Sequence, residues 1–255
     1  VPESIASDTL ILELGDLAGC REVLERYKDD VALIAVEPLP ANNGLLPQTQ
    51  EFLEGLRKLA DEFGAYLLFD EVISGFRIGF GGMAEKTGIK PDMVCYGKII
   101  GGGLPVGAVA ASKEIMEQLA PIGGVYQAGT LSANPLAMVG GMATLEKLTP
   151  DFYKTLEENT KNIVSIFKEW FEKEPSGKFR DLNITHEGSL FWIHPGDTPK
   201  KASEIPADLA PRFKELFEIF LNKGIYLAPN AYEVGFVSAA HDATIQNEIK
   251  ERLWS

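Results

Sequence analysis

LLFDEVISGFRIGFGGMAEKTGIKPDMVCYGKIIGGGLPVG, residues 67–107, is the stretch that decides how this chain is read. The apolar run at 65–69 (AYLLF) stops at Asp70-Glu71, and a second run at 93–96 (MVCY) stops two residues before Lys98. Short apolar runs without alternation are strands of a parallel sheet covered on both faces. Ligands of open parallel sheets sit beyond the carboxyl ends of the strands, where Asp70 and Lys98 both stand. A lysine walled by apolar residues and glycine is desolvated, which lowers its pKa and frees the amine as a nucleophile. Gly101-Gly102-Gly103 lets backbone approach a flat ligand closely. It is not a dinucleotide loop, because it leads into another strand-like run at 106–111 where that fingerprint needs a helix. Spacing leaves two readings open. In one, Asp70 caps a turn and Lys98 is a surface amine. In the other they form a pyridoxal phosphate site, in which a lysine links covalently to the cofactor and a carboxylate holds its pyridinium nitrogen protonated.

Working outward, apolar residues at 52, 53, 56, 59, 60 and 63 fall at helical period, and Gly64 ends that helix. Residues 10–14 (LILEL) and 31–36 (VALIAV) read as strands, the second buried on both faces, and Asp16 caps a helix between them. Strands alternating with helices predict an α/β fold with a mostly parallel sheet. The back of the chain reads as helices over 133–148, 152–171, 209–221 and 243–253. Strand-like runs fall at 184–193, 225–227 and 234–238, with an exposed loop over 195–206. The expected division is a part of a large domain over 1–145 and a smaller α+β domain over 146–255.

Among 255 residues there are 24 Lys+Arg against 37 Asp+Glu, a formal charge of −13. That balance excludes a protein that coats nucleic acid through phosphate contacts and argues against an anionic membrane surface. At 45 % hydrophobic residues the chain can bury a core, so extended disorder is excluded. No apolar run approaches the roughly 20 residues that span a bilayer. Cys20 and Cys95 cannot build a disulfide framework, and a reducing cytoplasm is expected. His186, His194 and His241 are scattered without metal spacing, so structural or surface roles are expected. Ser132 and Ser189 lack the elbow of a serine hydrolase. Glu37 reads equally as a base or a turn carboxylate, and Arg77 as the partner of an acidic neighbour.

LLFDEVISGFR…PDMVCYGKIIGGGLPVGA resembles the signature of class III (fold type I) pyridoxal phosphate aminotransferases. GGVYQAGTLSANPLAM and YLAPNAYEVGFVSAAH point more narrowly to the aminomutase branch, and the likeness runs from about Asp8 nearly to the end. It implies the cofactor pyridoxal 5'-phosphate, with pyridoxamine 5'-phosphate in the cycle, and a role for each matching position. Lys98 matches the lysine linked to the cofactor, and Asp70 the pyridinium partner. Val72 matches the residue packed on the ring face, and Asn42 an asparagine near the ring hydroxyl. Gly129 and Thr130 match a phosphate contact made from the neighbouring subunit, which implies a homodimer with shared sites. Tyr126 and Gln127 lie beside that site, and Glu233 matches an acidic residue near the substrate amine.

Two departures stand out: EPLPANNG replaces the usual EPVxGNM, and SANP replaces SGNP. The family also carries an earlier portion with a phosphate-binding turn and a ring-stacking aromatic, so the chain resembles the C-terminal larger part of such an enzyme. The activity implied is intramolecular amino transfer turning an amino-aldehyde, glutamate 1-semialdehyde, into 5-aminolevulinate, with Lys98 as general base and acid. Two alternatives remain: an intermolecular class III transaminase acting on an ω-amine or β-amino acid, and an inactive fragment that only pairs with other chains.

Overall fold

The computed structural model describes residues 1–28 and 30–255. A short helix α1 (Glu3–Ala6) precedes α2 (Leu17–Arg26), whose first turn is closed by Asp16 Oδ1 accepting from the Gly19 N–H at 2.9 Å. β1 (Leu33–Val36), α3 (Gln50–Phe63) and β2 (Tyr66–Asp70) form a βαβ unit, with Leu33 opposite Tyr66 and Val36 opposite Phe69 in parallel register. Both ends of α3 follow from its sequence. Thr49 Oγ1 accepts from the Phe52 N–H at 3.2 Å, and Gly64 takes the left-handed φ of 68° that ends the helix.

After α4 (Gly82–Thr87), β3 (Met93–Tyr96) pairs parallel to β2. A 3₁₀ turn at Lys98–Gly101 then leads to β4 (Ala108–Ala111), which pairs antiparallel to β3. The first sheet therefore has the order β1-β2-β3-β4, parallel except at its β4 edge. Helices α5 (Lys113–Met116), α6 (Pro135–Leu145) and the 24-residue α7 (Pro150–Lys173) lead to a hairpin of β5 (Leu182–Glu187) and β6 (Leu190–Pro195). After α8 (Leu209–Asn222), the two-residue β7 (Gly235–Phe236) adds antiparallel to β6, and α9 (Ala243–Trp254) closes the chain.

β6 is the wall between two cores. Its alternate residues Leu190 and Trp192 enter one core with Leu53, Leu67 and Phe69, while Phe191 and Ile193 enter the other with Phe167, Phe171 and Phe220. A period of two makes this division automatic for a strand covered on both sides. Each fully buried side chain of this kind contributes roughly 1.5–3 kcal/mol.

Four expectations change. Residues 10–14 form no strand: Leu12 and Leu14 lean on the first core while Ile11 is 92 % exposed. A strand needs a neighbour to take its N–H and C=O groups, and among the described residues none pairs with this segment. The same holds for residues 225–227, where Tyr226 stands 71 % exposed. The run at 184–193 splits into β5 and β6 at Gly188, whose φ of 54° suits a tight turn. Finally, β1 is not buried on both faces. Leu67 and Phe69 are wholly buried on the side that α3 covers, whereas Leu33 and Tyr66, opposite each other on the other side, are 38 % and 49 % exposed.

Candidate active site

Because β1, β2 and β3 run parallel, the loops that follow them open at the same end of the sheet. Asp70 closes β2 opposite Cys95, and its Oδ1 accepts the Val72 N–H at 3.0 Å. Burial, and after it the Asp70 charge, pushes the Cys95 thiol above its ordinary pKa. Lys98 opens the 3₁₀ turn at a φ of 49°, in the left-handed region that costs a residue with a Cβ roughly 1–2 kcal/mol. Such strain persists where surrounding packing enforces it, and active sites are the usual places. Here the packing is visible. A Cβ on Gly102 would lie 2.3 Å from the Gly140 oxygen, and one on Gly141 2.2 Å from the Ile100 oxygen, so the backbone of α6 is pressed against the lysine turn.

Val72 joins the two loops: a Cβ on Gly97 would lie 3.2 Å from Val72 Cγ1. The structure thus sets the loop after Asp70, which carries Val72, against the start of the turn that carries Lys98. It corrects one detail, because Lys98 is exposed rather than walled in. Asn42 stands in the loop after β1, where its Nδ2 donates to Glu37 Oε1 at 3.0 Å. Glu37 Oε2 accepts the Ala41 N–H at 3.2 Å, so Glu37 works here as a turn carboxylate.

The remaining residues stand apart in this chain. Tyr126, Gln127, Gly129 and Thr130 lie exposed between α5 and α6, and among the described residues no hydrogen bond ties them to Asp70, Val72 or Lys98. Glu233 is exposed just before β7, where its N–H donates to the Asn230 carbonyl at 3.1 Å. It borders a cavity of about 470 Å³ beside the second core. Among the described residues Arg77 pairs with no acidic neighbour; its guanidinium carbon lies 4.3 Å from the centre of the Phe236 ring.

Sequence reasoning missed Glu71. Its side chain, on a residue only 1 % exposed, accepts from the Met83 N–H at 2.7 Å, the Ala84 N–H at 3.0 Å and Ser74 Oγ at 3.1 Å. Burial raises its pKa against the pull of those donors. The signal was the Asp-Glu pair itself: neighbours at a strand end point to opposite faces, so one of the two had to turn inward. Among the described residues no group of His, Cys, Asp and Glu is placed to hold a metal ion.

Residues 10–249 match the family Aminotransferase class-III. The glutamate-1-semialdehyde 2,1-aminomutase of Bdellovibrio bacteriovorus is 50 % identical over 244 residues, 94 % of this chain and 56 % of the relative. The chain thus spans little more than half the length of the curated relatives it matches. An omega-transaminase from Sphaerobacter thermophilus superposes with a TM-score of 0.88 at 31 % identity, covering 99 % of this chain and 57 % of the other. A transaminase with PLP bound gives 0.84 at 29 % identity, covering 99 % and 57 %. Matched over residues 10–249, the chain belongs to the class III aminotransferase family.

Proposed function

We propose that this chain forms the lysine-bearing part of a pyridoxal phosphate enzyme that moves an amino group within glutamate 1-semialdehyde to give 5-aminolevulinate. The 50 % identity with the Bdellovibrio aminomutase over 94 % of the chain carries this reading. The donor set fits the cofactor. Lys98 Nζ makes no hydrogen bond or ion pair among the described residues, Asp70 has only Oδ1 engaged, and Gly97 leaves the approach beside Val72 free of a Cβ.

Bound pyridoxal phosphate supplies an electron sink for a carbanion. Asp70 would hold the ring nitrogen's proton through a charge-assisted hydrogen bond, and Val72 would pack on one ring face. Lys98 Nζ would hold the cofactor at rest and, when released, accept and return the proton that moves during amino transfer. Asn42 would stand near the ring hydroxyl, and Tyr126, Gln127 and Glu233 would bind substrate. Gly129 and Thr130 would serve the phosphate of a second copy in a homodimer. Leu136, Val139 and Met142 of α6 support that pairing: they are 74 %, 64 % and 61 % exposed, an apolar surface that solvent does not favour.

The first sheet ends at Ala111 and the second begins at Leu182, which supports a division of the chain near residue 145. The thiols of Cys20 and Cys95 are free, which suits a cytoplasmic protein. No helix among the described residues is long and apolar enough to cross a membrane. The superposition on an omega-transaminase favours a second reading, amino transfer between two molecules. One assay separates them: the complete protein with pyridoxamine phosphate and glutamate 1-semialdehyde alone should release 5-aminolevulinate over many turnovers. Turnover only when a keto acid is added would establish the second reading.

A further inference from the structure

We propose that Arg77 is a positioning residue that, stacked on Phe236, holds the segment carrying Glu233 at a set distance from the loop that begins at Asp70. The inference rests on the functional reading above, and it concerns how the ring end and the substrate end of one site keep their spacing.

The loop after Asp70 is already docked by its backbone. The Phe76 carbonyl accepts from the Tyr153 hydroxyl at 3.0 Å, and the Arg77 carbonyl from Ser189 Oγ at 3.3 Å. A Cβ on Gly188 would lie 2.7 Å from Ile78 Cα, so the hairpin turn and the loop are in direct contact. Burial, with a smaller contribution from the Glu85 charge, pushes Tyr153 up to about 12, which keeps its hydroxyl a donor. None of these contacts needs the Arg77 side chain.

The guanidinium therefore has another task. It is largely withdrawn from water, its Nε has no hydrogen-bond partner among the described residues, and its carbon lies 4.3 Å from the centre of the Phe236 ring. A cation without a carboxylate is costly to bury, and the electron-rich face of an aromatic ring is what offsets that cost here. Phe236 belongs to β7, a strand of two residues at the edge of the second sheet, paired opposite Leu190. Just beyond it, the Val237 N–H donates to the Ser189 carbonyl at 2.9 Å. Three residues earlier stands Glu233. So short a strand has few bonds of its own, and the Arg77 stack ties it to the same loop that Glu71 anchors below Asp70.

The test uses the complete protein and two subtractive variants. Arg77→Met keeps the apolar stem and removes the planar cation. Phe236→Leu keeps an apolar side chain and removes the ring face, and Phe236→Tyr restores the face. Amide exchange over residues 235–237, measured without cofactor or substrate, should quicken about tenfold in Arg77→Met and Phe236→Leu and stay near wild type in Phe236→Tyr. The double variant should match the singles, because both remove one contact. With pyridoxal phosphate bound, KM for glutamate 1-semialdehyde should rise about tenfold with kcat changed less than about threefold and the visible spectrum unaltered. Unchanged exchange in both variants overturns the proposal, as does a fall in kcat and cofactor uptake at constant KM. A wild-type protein that takes up no pyridoxal phosphate defeats the functional reading instead, and the exchange measurement still decides whether Arg77 holds β7.

Discussion

Asp70 and Glu71, adjacent where β2 ends, turn their carboxylates to opposite sides. Asp70 stands opposite Cys95, its register partner, and among the described residues its carboxylate engages only the Val72 N–H. Glu71 is driven inward, where it collects two backbone donors from the start of α4 and the Ser74 hydroxyl. Asp70 Oδ2 has no hydrogen bond among the described residues, whereas Glu71 ties the loop after β2 to the start of α4.

Asp70→Asn should therefore leave the melting temperature nearly unchanged and slow the chemistry. An amide cannot stabilise a pyridinium. Loss of a charge-assisted hydrogen bond, about 1.5–3 kcal/mol, corresponds to roughly tenfold to a hundredfold in rate, before loss of the electron sink is added. Single-turnover rates of the reconstituted protein check this; rates within threefold of wild type rule out Asp70 as the ring partner.

Glu71 should show itself in the pH dependence of stability. Burial raises its pKa above the ordinary carboxylate value, so the folded protein holds this proton more tightly than the unfolded chain. That contribution is whole below the unfolded pKa and is lost as pH rises through the folded one. Glu71→Gln stays neutral at every pH. It carries a constant penalty, because its NH₂ faces the donors of Met83 and Ala84, yet it should gain on wild type as pH rises from about 4 toward neutrality. Paired melting curves across that range measure the difference. A difference that is flat, or that widens in favour of the wild type, contradicts the assignment.

Lys98 should be the residue trapped when borohydride reduces the pyridoxal phosphate complex, and a label on another lysine defeats the assignment. Its backbone supplies a second readout. At a φ of 49° a glycine is less strained than alanine, so Lys98→Gly should exceed Lys98→Ala in urea stability by about 1 kcal/mol, with both unlabelled. Equal stabilities would mean that the turn relaxes when the lysine is removed.

Shared sites predict complementation. A mixed dimer of Lys98→Ala and Thr130→Val chains should carry one site with both lesions and one with neither. Its activity should be about half that of wild type if the sites are independent. If a dimer shown to be mixed has no activity, each site is built from one chain.

Much of this was legible in the chain itself. The α3 helix, its Gly64 end and the Asp16 cap were readable because caps and periodicity depend on neighbours within a few residues. The strand ends at Asp70 and before Lys98 were readable for the same reason, as was the likeness to class III aminotransferases. Only the tertiary structure decided the rest. Pairing made β4 antiparallel and left residues 10–14 outside any sheet, because a strand exists only beside another strand. The inward turn of Glu71 and the seat of Arg77 on Phe236 join segments far apart in sequence. So does the pressure of α6 on the lysine turn. Such contacts follow from which surfaces are covered, and a window of local sequence does not contain that information.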